Sequence, residues 1–411
     1  IGVVDTVMIA PLGTEPLAAA SITSAVTMVF YAGLYGFVSV AGVRMAEAYG
    51  AGQGLATATR TAMWVAGIAG TLGAGVMLVL RPYLGALGQP PDVLALLGGY
   101  WTAMSLLLIP FTLFYALKGL FDAIDAPWVG VGLAFFAVAL NVPANWVLIH
   151  GIGGWPGLGL TGAGLASLLS QTAPLVVAWW IWRRAKSTEA ARQPAPLSTK
   201  EWRTQLREGT TIAVGYIGEG GAYAVARLMM GWFGAAALAA DQIVAAVGGV
   251  LYMVPLGVSI AVSIRIGQAI GADEARRLAT IGKGALTLIV TWMAIVMLGV
   301  FVGGGALSAA MSDDVEVVQL ATTFFLIVAA MQVFDGIQGT MLGAARGMMD
   351  NKVPVAITLA SYWIVALPLA YLLAVGLGYG PAAVWVGYGA GLALAATTLT
   401  LRFFRKVQDW R

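Results

Sequence analysis

Gly215-Tyr-Ile-Gly-Glu-Gly-Gly-Ala-Tyr-Ala-Val-Ala226 places an ionisable residue, Glu219, inside an apolar run from Thr210 to Gly234. If that run crosses a bilayer, an ionised side chain near its centre costs about 2.5 to 3.5 kcal/mol on insertion scales. The acid must then face protein, water or a cation. Asp5 and Asp335 share the predicament, each within its own apolar run.

Working outward, the whole chain has this character. Its residues are 60% hydrophobic and 10% charged, and the mean hydropathy is +0.86. Soluble domains carry about 25% charged residues. An integral membrane protein is therefore expected. There is no Cys and a single His, His150, so disulfides, thiolate metal sites and histidine clusters are excluded. The formal charge of +3 is explained by where the basic residues fall, and no nucleic-acid partner is implied.

Apolar runs of about 20 residues or more predict spans near 17–44, 61–83, 93–118, 127–150, 159–182, 208–233, 236–264, 280–302, 315–343, 353–376 and 382–404, after a first piece at 1–10. The fold class expected is an all-α membrane protein of twelve transmembrane helices in two pseudo-symmetric six-helix lobes around a central cleft. Only Ile1 to Ala10 precede Pro11, about half of what a span needs, so the first helix is expected to be truncated, with residues missing before Ile1. Nothing at this end reads as a signal peptide. The segment from Arg183 to Glu201, with Pro194 and Pro196, reads as a linker. The expected organisation is an N-lobe over 1–184, a cytoplasmic linker over 185–202 and a C-lobe over 203–411.

An internal repeat supports this division. A shift of 221 positions aligns Gly13 with Gly234, Leu17-Ala-Ala with Leu238-Ala-Ala, Tyr31 with Tyr252, Gly36 with Gly257, Arg44 with Arg265 and Gly50-Ala with Gly271-Ala. Six helices separate the copies, so both have the same orientation, as a pseudo-two-fold axis along the membrane normal requires. Asp5 falls opposite Ala226 in this register, not opposite Glu219. With alternating loops, every Lys and Arg from Arg44 to Arg411 except Arg81 and Arg227 lies on one side. That side, with the C-terminus, is expected to be cytoplasmic, each charge acting as a topological anchor.

The polar residues inside the spans are the candidate working parts. Asn141-Val-Pro-Ala-Asn145 puts two amides four residues apart on one helix face, and Pro143 removes a backbone donor that would otherwise close the turn. Interhelical hydrogen bonding is the structural alternative for these amides. Gln332, Asp335 and Gln338 share a stripe. Glu219 has Tyr216 and Tyr223 on its own face, and its glycine neighbours admit close approach. Hard oxygen ligands of this kind suit Na⁺ or a proton. Tyr252, before Pro255, is either a cation-π surface or core packing. Arg227 and Asp241 read as a structural salt bridge, Asp122 and Asp125 as solvated helix-end residues, and His150 as a loop residue.

On these residues the chain resembles the multidrug and toxic compound extrusion family, most closely its NorM-like branch. The carriers are Val4-Asp-Thr-Val-Met8, Leu140-Asn-Val-Pro-Ala-Asn-Trp146, Glu219, the stretch from Tyr252 to Gly271 with Val262-Ser-Ile-Arg-Ile-Gly267, Phe334-Asp335 and Arg346-Gly347. The resemblance implies a transporter and not an enzyme: a multi-pass protein of the bacterial inner membrane that exports bulky organic cations or drugs in exchange for Na⁺ or H⁺. It also implies that Asp5, Asn141 and Asn145 form one cation or proton site and that Glu219 and Asp335 form another, with Na⁺ as a candidate metal ion. Tyr252, Gln338 and Tyr223 are the expected substrate contacts. No cofactor is expected beyond the coupling ion, and a monomer is expected. A lipid-linked oligosaccharide flippase is the alternative within transporters, but its pyrophosphate cargo calls for a basic cavity where this membrane interior offers acids. An intramembrane enzyme lacks an evident nucleophile-base pair. A passive channel is the remaining alternative.

Overall fold

The computed structural model describes residues 2–87 and 91–409. Ile1, where the predicted first span begins, and Arg411, which the orientation argument used, lie outside the described residues. The chain is all-helical among the described residues and divides into two compact units, Ile1–Ala213 and Val214–Arg411.

The first unit contains α1 (Gly2–Ile9), α2 (Thr14–Gly50), α3 (Leu55–Leu80), α4 (Pro91–Leu106), α5 (Leu108–Ala123), α6 (Pro127–His150), α7 (Gly159–Arg184), a short α8 (Glu189–Arg192) and the start of α9 (Thr199–Gly231). The second contains the rest of α9, then α10 (Ala235–Leu251), α11 (Met253–Gly271), α12 (Leu278–Met311), α13 (Val315–Gly347), α14 (Lys352–Ala360), α15 (Leu367–Tyr371) and α16 (Ala382–Gln408). Ten helical stretches among the described residues are long and apolar enough to cross a membrane. α1 is too short to join them, and glycines, hydroxyls and Glu219 keep α9 below the same apolarity.

Prolines account for the interrupted spans. Pro110 cannot donate to the carbonyl of Leu106, and the predicted span 93–118 breaks there into α4 and α5. Pro255 stands in the same relation to Leu251, where α10 gives way to α11 at Tyr252. Pro368 likewise leaves the carbonyl of Ile364 without its donor, and the chain between α14 and α15 widens into π-helix over Ser361–Ala366. Pro143 behaves differently. α6 runs through it as α-helix from Pro127 to His150, so no turn is opened there.

The units are packed inside-out relative to a soluble protein. Large apolar side chains face outward, with Trp128 81% and Phe135 73% exposed, while Thr23, Thr27, Ser105, Thr112 and Ser170 are buried. Each of these hydroxyls donates to a carbonyl one turn back on its own helix, as Thr27 does to Thr23 at 2.7 Å. In lipid no water is available, so this internal pairing is required. Close approach of helices comes from glycine. A Cβ built on Gly343 of α13 would sit 2.3 Å from the carbonyl oxygen of Ser259 on α11, and one on Gly347 2.7 Å from that of Ser263. With Gly339, whose carbonyl accepts from the Ser259 hydroxyl at 2.7 Å, these form a small-residue seam at four-residue intervals.

The repeat is visible in the backbone of each unit. Gly13 caps α2 with φ 112° and ψ 178°, and Gly234 caps α10 with φ 100° and ψ 177°. Gly52 and Asp273, also 221 apart, both have positive φ, 67° and 60°. Such angles cost a glycine nothing, which explains the two aligned glycine caps.

Several charges do more than anchor topology. Arg44 grips Glu201 through Nε and Nη2 at 3.0 and 2.8 Å and also contacts Glu47. Asp122, expected to be solvated, is instead ion-paired with Lys118 at 2.6 Å in a largely buried position. His150 is the last residue of α6, its ring 4.9 Å from that of Trp146 and tilted by 31°, and not part of a loop. The expected salt bridge is present, Arg227 Nε to Asp241 Oδ2 at 2.7 Å. The segment after α7 is tied down: Thr188 donates to the carbonyl of Trp182 at 2.7 Å, and Arg60 donates to that of Ala195 at 2.7 Å. Between α13 and α14, Asp350 accepts from Arg402 at 2.9 and 3.0 Å, with Lys406 at 3.2 Å.

Substituting Gly343→Val forces a side chain into the α11–α13 seam and is expected to cost about 1–3 kcal/mol or more. Thermal unfolding in detergent checks this, and an unchanged midpoint would refute the packing argument. A second expectation concerns acid. Burial raises the Asp350 carboxyl, but Arg402 and Lys406 outweigh that and hold it below the usual carboxylate range. A depressed carboxylate stabilises the fold above its unfolded value, about 3.9, and that contribution fades as pH falls through the lower folded value. Asp350→Asn should therefore lower the unfolding midpoint at pH 7, and by progressively less below about pH 4.

Candidate functional site

Two polar centres lie among the packed helices, one in each unit. In the first unit α1 carries Asp5, only 6% exposed. Its Oδ1 accepts from Asn141 Nδ2 at 3.2 Å and Asn145 Nδ2 at 2.7 Å, and its Oδ2 accepts from Ser167 Oγ at 2.6 Å. The two amides reach Asp5 because an unbroken α6 presents them on one face, and both are fully buried. Their Oδ1 atoms have no hydrogen-bond partner among the described residues. The helix stays unbroken at Pro143, and the side-chain amides reach this acid. Ser167 was not anticipated, and its signal is a hydroxyl in the small-residue stretch Gly162-Ala-Gly-Leu-Ala-Ser167 of α7. Asp5 has no salt-bridge partner among the described residues, so three neutral donors hold it.

In the second unit α9 presents Glu219. Gly218 makes room for α14: a Cβ there would lie 2.3 Å from Leu359 Cδ2. The π-helical segment that follows α14 brings two aromatic side chains to the same turn. Tyr362 Oη donates to Glu219 Oε1 at 3.2 Å, and Trp363 Nε1 donates to the carbonyl of Gly218 at 3.0 Å. Short π-helical stretches recur at functional sites, because they re-aim side chains that a regular helix would carry elsewhere. No sequence period announces this one; only Pro368 hints at it.

Asp335, half-buried on α13, interacts electrostatically with Glu219. The two make no direct hydrogen bond among the described residues; Glu219 takes its bond from Tyr362 instead. Tyr252 lies where α10 meets α11, with its hydroxyl 3.5 Å from the place of a Cβ on Gly339, and it interacts with both Asp335 and Glu219. Tyr223 belongs to an aromatic group. Its ring lies 5.5 Å from Trp385 and 6.2 Å from Tyr388, and Tyr388 stacks on Tyr362 at 5.5 Å with planes 9° apart. Gln338 and Gln332 are buried on α13, and both polar atoms of Gln338 lack partners among the described residues.

Of the predicted residues, the structure thus gathers Asp5, Asn141 and Asn145 in the first unit and Glu219, Asp335, Tyr252 and Tyr223 in the second. It adds Ser167, Tyr362 and Tyr388. Among the described residues no group of three or more His, Cys, Asp or Glu is placed to hold a metal ion. The oxygen donors near Glu219 are a carboxylate pair and phenol hydroxyls, a hard set matched to Na⁺ or H⁺. The flat aromatic faces beside them suit an organic cation.

Comparison with known proteins places the chain in a family. A family model described as MatE matches residues 1–147 and 212–372. A probable multidrug resistance protein NorM from Bradyrhizobium diazoefficiens is 33% identical over 97% of this chain and 88% of its own length. Another of that description from Pseudomonas aeruginosa is 36% identical over 97% of this chain and 84% of its own length. The crystal structure of a Vibrio cholerae MATE transporter, VcmN in the bent form, matches with a TM-score of 0.90 at 22% identity, covering 100% of this chain and 92% of that one. At that identity the likeness speaks for the fold.

Ser167→Ala removes the 2.6 Å hydrogen bond to Asp5 and, if it acts through a charge there, is expected to cost about 1.5–3 kcal/mol. In an Asp5→Asn background the same substitution should cost about 0.5–1.5 kcal/mol, as for a neutral pair. Equal losses of unfolding midpoint in the two backgrounds would show that Ser167 does not act through the Asp5 charge.

Proposed function

The chain belongs to the MatE family, and from that premise we propose that this multidrug efflux transporter exports organic cations in antiport with Na⁺ or H⁺ through its two acidic centres. The observation that carries the reading is Asp5: a buried carboxylate in a membrane helix, held by three neutral donors and without a salt-bridge partner among the described residues. Neutral donors solvate such a charge without cancelling it. A cation or a proton can therefore bind with a large change in local energy, which is what coupling requires.

The second centre supplies the other half. Glu219 and Asp335 are two carboxyl groups that interact, so a cation or proton that relieves repulsion between their charged forms is favoured. Tyr223 is part-exposed beside them and offers a π face to a flat, positively charged drug, with the buried Tyr388, Tyr362 and Trp385 packed as its aromatic support. Tyr252 borders the same carboxylates, and Gln338 offers two unpartnered polar atoms to a substrate. Coupling ion and drug then compete for one negative region. Export follows if the ion binds better in one conformation and the drug in the other. The distribution of Lys and Arg supports a cytoplasmic C-terminus in a bacterial inner membrane. One chain carries both acidic centres, which supports a working monomer.

In proteoliposomes, efflux of a fluorescent organic cation should respond to an imposed Na⁺ or pH gradient, each applied separately. Asp5→Asn, Glu219→Gln and Asp335→Asn should each lower the gradient-driven rate by about tenfold or more. Wild-type rates in all three variants, or flux independent of either gradient, would sink the antiport reading.

A further inference from the structure

In the second unit α12 and α16 both pack on α13 and run antiparallel beside one another. They meet at Gly282, where a Cβ would sit 2.3 Å from Phe403 Cε1. Away from those helix ends a groove of 570 Å³ opens, with Thr287 and Thr291 of α12 on one wall, Thr397 and Leu401 of α16 on the other, and Phe334 and Ile337 of α13 beneath. Its chemistry is apolar. Thr397 and Thr400 donate their hydroxyl protons to the carbonyls of Ala393 and Ala396 at 2.8 and 2.7 Å, which leaves their methyl groups beside the side chains of Leu401, Phe334 and Ile337. All three helices are long and apolar enough to cross a membrane, and Phe334 and Leu401 are exposed, so hydrocarbon suits this face.

The end of the groove gives it a polarity. Residues 283, 287 and 291 of α12 are four apart and form one stripe, as do residues 397, 401 and 405 of α16. Each stripe lines the groove and then, one turn on, reaches a basic residue, Lys283 or Arg405. Lys283 follows Gly282 and Arg405 stands two residues past Phe403, so each lies within about 3 Å, along its axis, of the level where the helices touch. Both are exposed, and neither has an ion pair or hydrogen bond among the described residues. The adjacent Arg402 and Lys406 differ, because Asp350 engages both. Asp409, one turn beyond Arg405, makes no ion pair among the described residues. Membrane orientation alone explains basic residues at helix ends. It does not explain why two uncompensated cations close an apolar groove. The first unit supplies a contrast: a groove of 450 Å³ is lined there by Trp64, Ile68 and Leu72, and that stripe ends at Arg60, which already donates to the carbonyl of Ala195 at 2.7 Å.

We propose that the groove between α12, α13 and α16 binds one anionic phospholipid, with an acyl chain against Phe334 and Ile337 and the phosphate between Lys283 and Arg405. The hydrocarbon fills the groove, and the two cations supply the charge that an anionic headgroup lacks elsewhere in the bilayer. The site is separate from both acidic centres and does not depend on the antiport reading.

The test exchanges the full chain into a neutral detergent, titrates it with phosphatidylglycerol or phosphatidylcholine, and counts retained lipid by native mass spectrometry. One phosphatidylglycerol per chain should be retained at concentrations where phosphatidylcholine is not. Lys283→Gln combined with Arg405→Gln should weaken that retention by about tenfold or more. Lys283→Arg with Arg405→Lys, which keeps both charges, should restore it. Arg184→Gln with Lys186→Gln removes two exposed cations from the first unit and should leave retention within about twofold of wild type. Thr397→Trp and, independently, Thr287→Trp fill the groove from exposed positions and should each weaken retention by about tenfold with both cations in place. Equal retention of the two lipids overturns the proposal. So does an equal loss in the two charge-removing double variants, which would mean diffuse attraction to a basic face, or unchanged retention in both tryptophan variants, which would mean a headgroup contact without the groove.

Discussion

A carboxylate inside a membrane-spanning helix is stable only where donors reach it, and in each unit the surrounding helices are arranged to deliver them. For Asp5 the donors come from α6 and α7, through two amides and a hydroxyl. For Glu219 the donor comes from the π-helical segment beyond α14, through Tyr362. The two solutions differ in kind. The first is a compact cage of neutral hydrogen bonds. The second is a wider arrangement of two acids and several aromatic rings.

Both arrangements depend on backbones approaching closely. Gly339, Gly343 and Gly347 let α13, which carries Asp335, lie against α11. Gly218 does the same for α14 beside Glu219. In a bilayer, where hydrophobic burial gives little drive for helix association, such contacts and the hydrogen bonds they permit carry much of the specificity. Prolines then set where helices break. Pro110 and Pro255 interrupt spans, while Pro143 is absorbed inside α6, so a proline's local effect is decided by what surrounds the freed carbonyl.

Particular residues show how far the sequence could be read. Ten of the twelve predicted spans and the 221-residue shift that pairs Gly13 with Gly234 were legible, because hydropathy and period are local properties. Asp5, Asn141, Asn145, Glu219 and Asp335 stood out because a polar group in an apolar run is costly. Ser167 and Tyr362 did not, since a serine among small residues and a tyrosine among apolar ones are ordinary in helices. Asp122 and Arg346 were misjudged for a related reason. Position near a helix end suggests solvent, but burial depends on which neighbours pack over that end.

By itself the sequence determined an all-helical membrane protein with a repeated scaffold and acids at sites the repeat does not share, since each of these follows from composition and spacing along one chain. Only the tertiary structure decided which donors meet those acids. It showed that Asp5 is held by neutral groups while Glu219 takes a hydrogen bond from Tyr362. Those partners lie far apart in the chain and come together through helix packing, a property of the folded units that no single helix encodes.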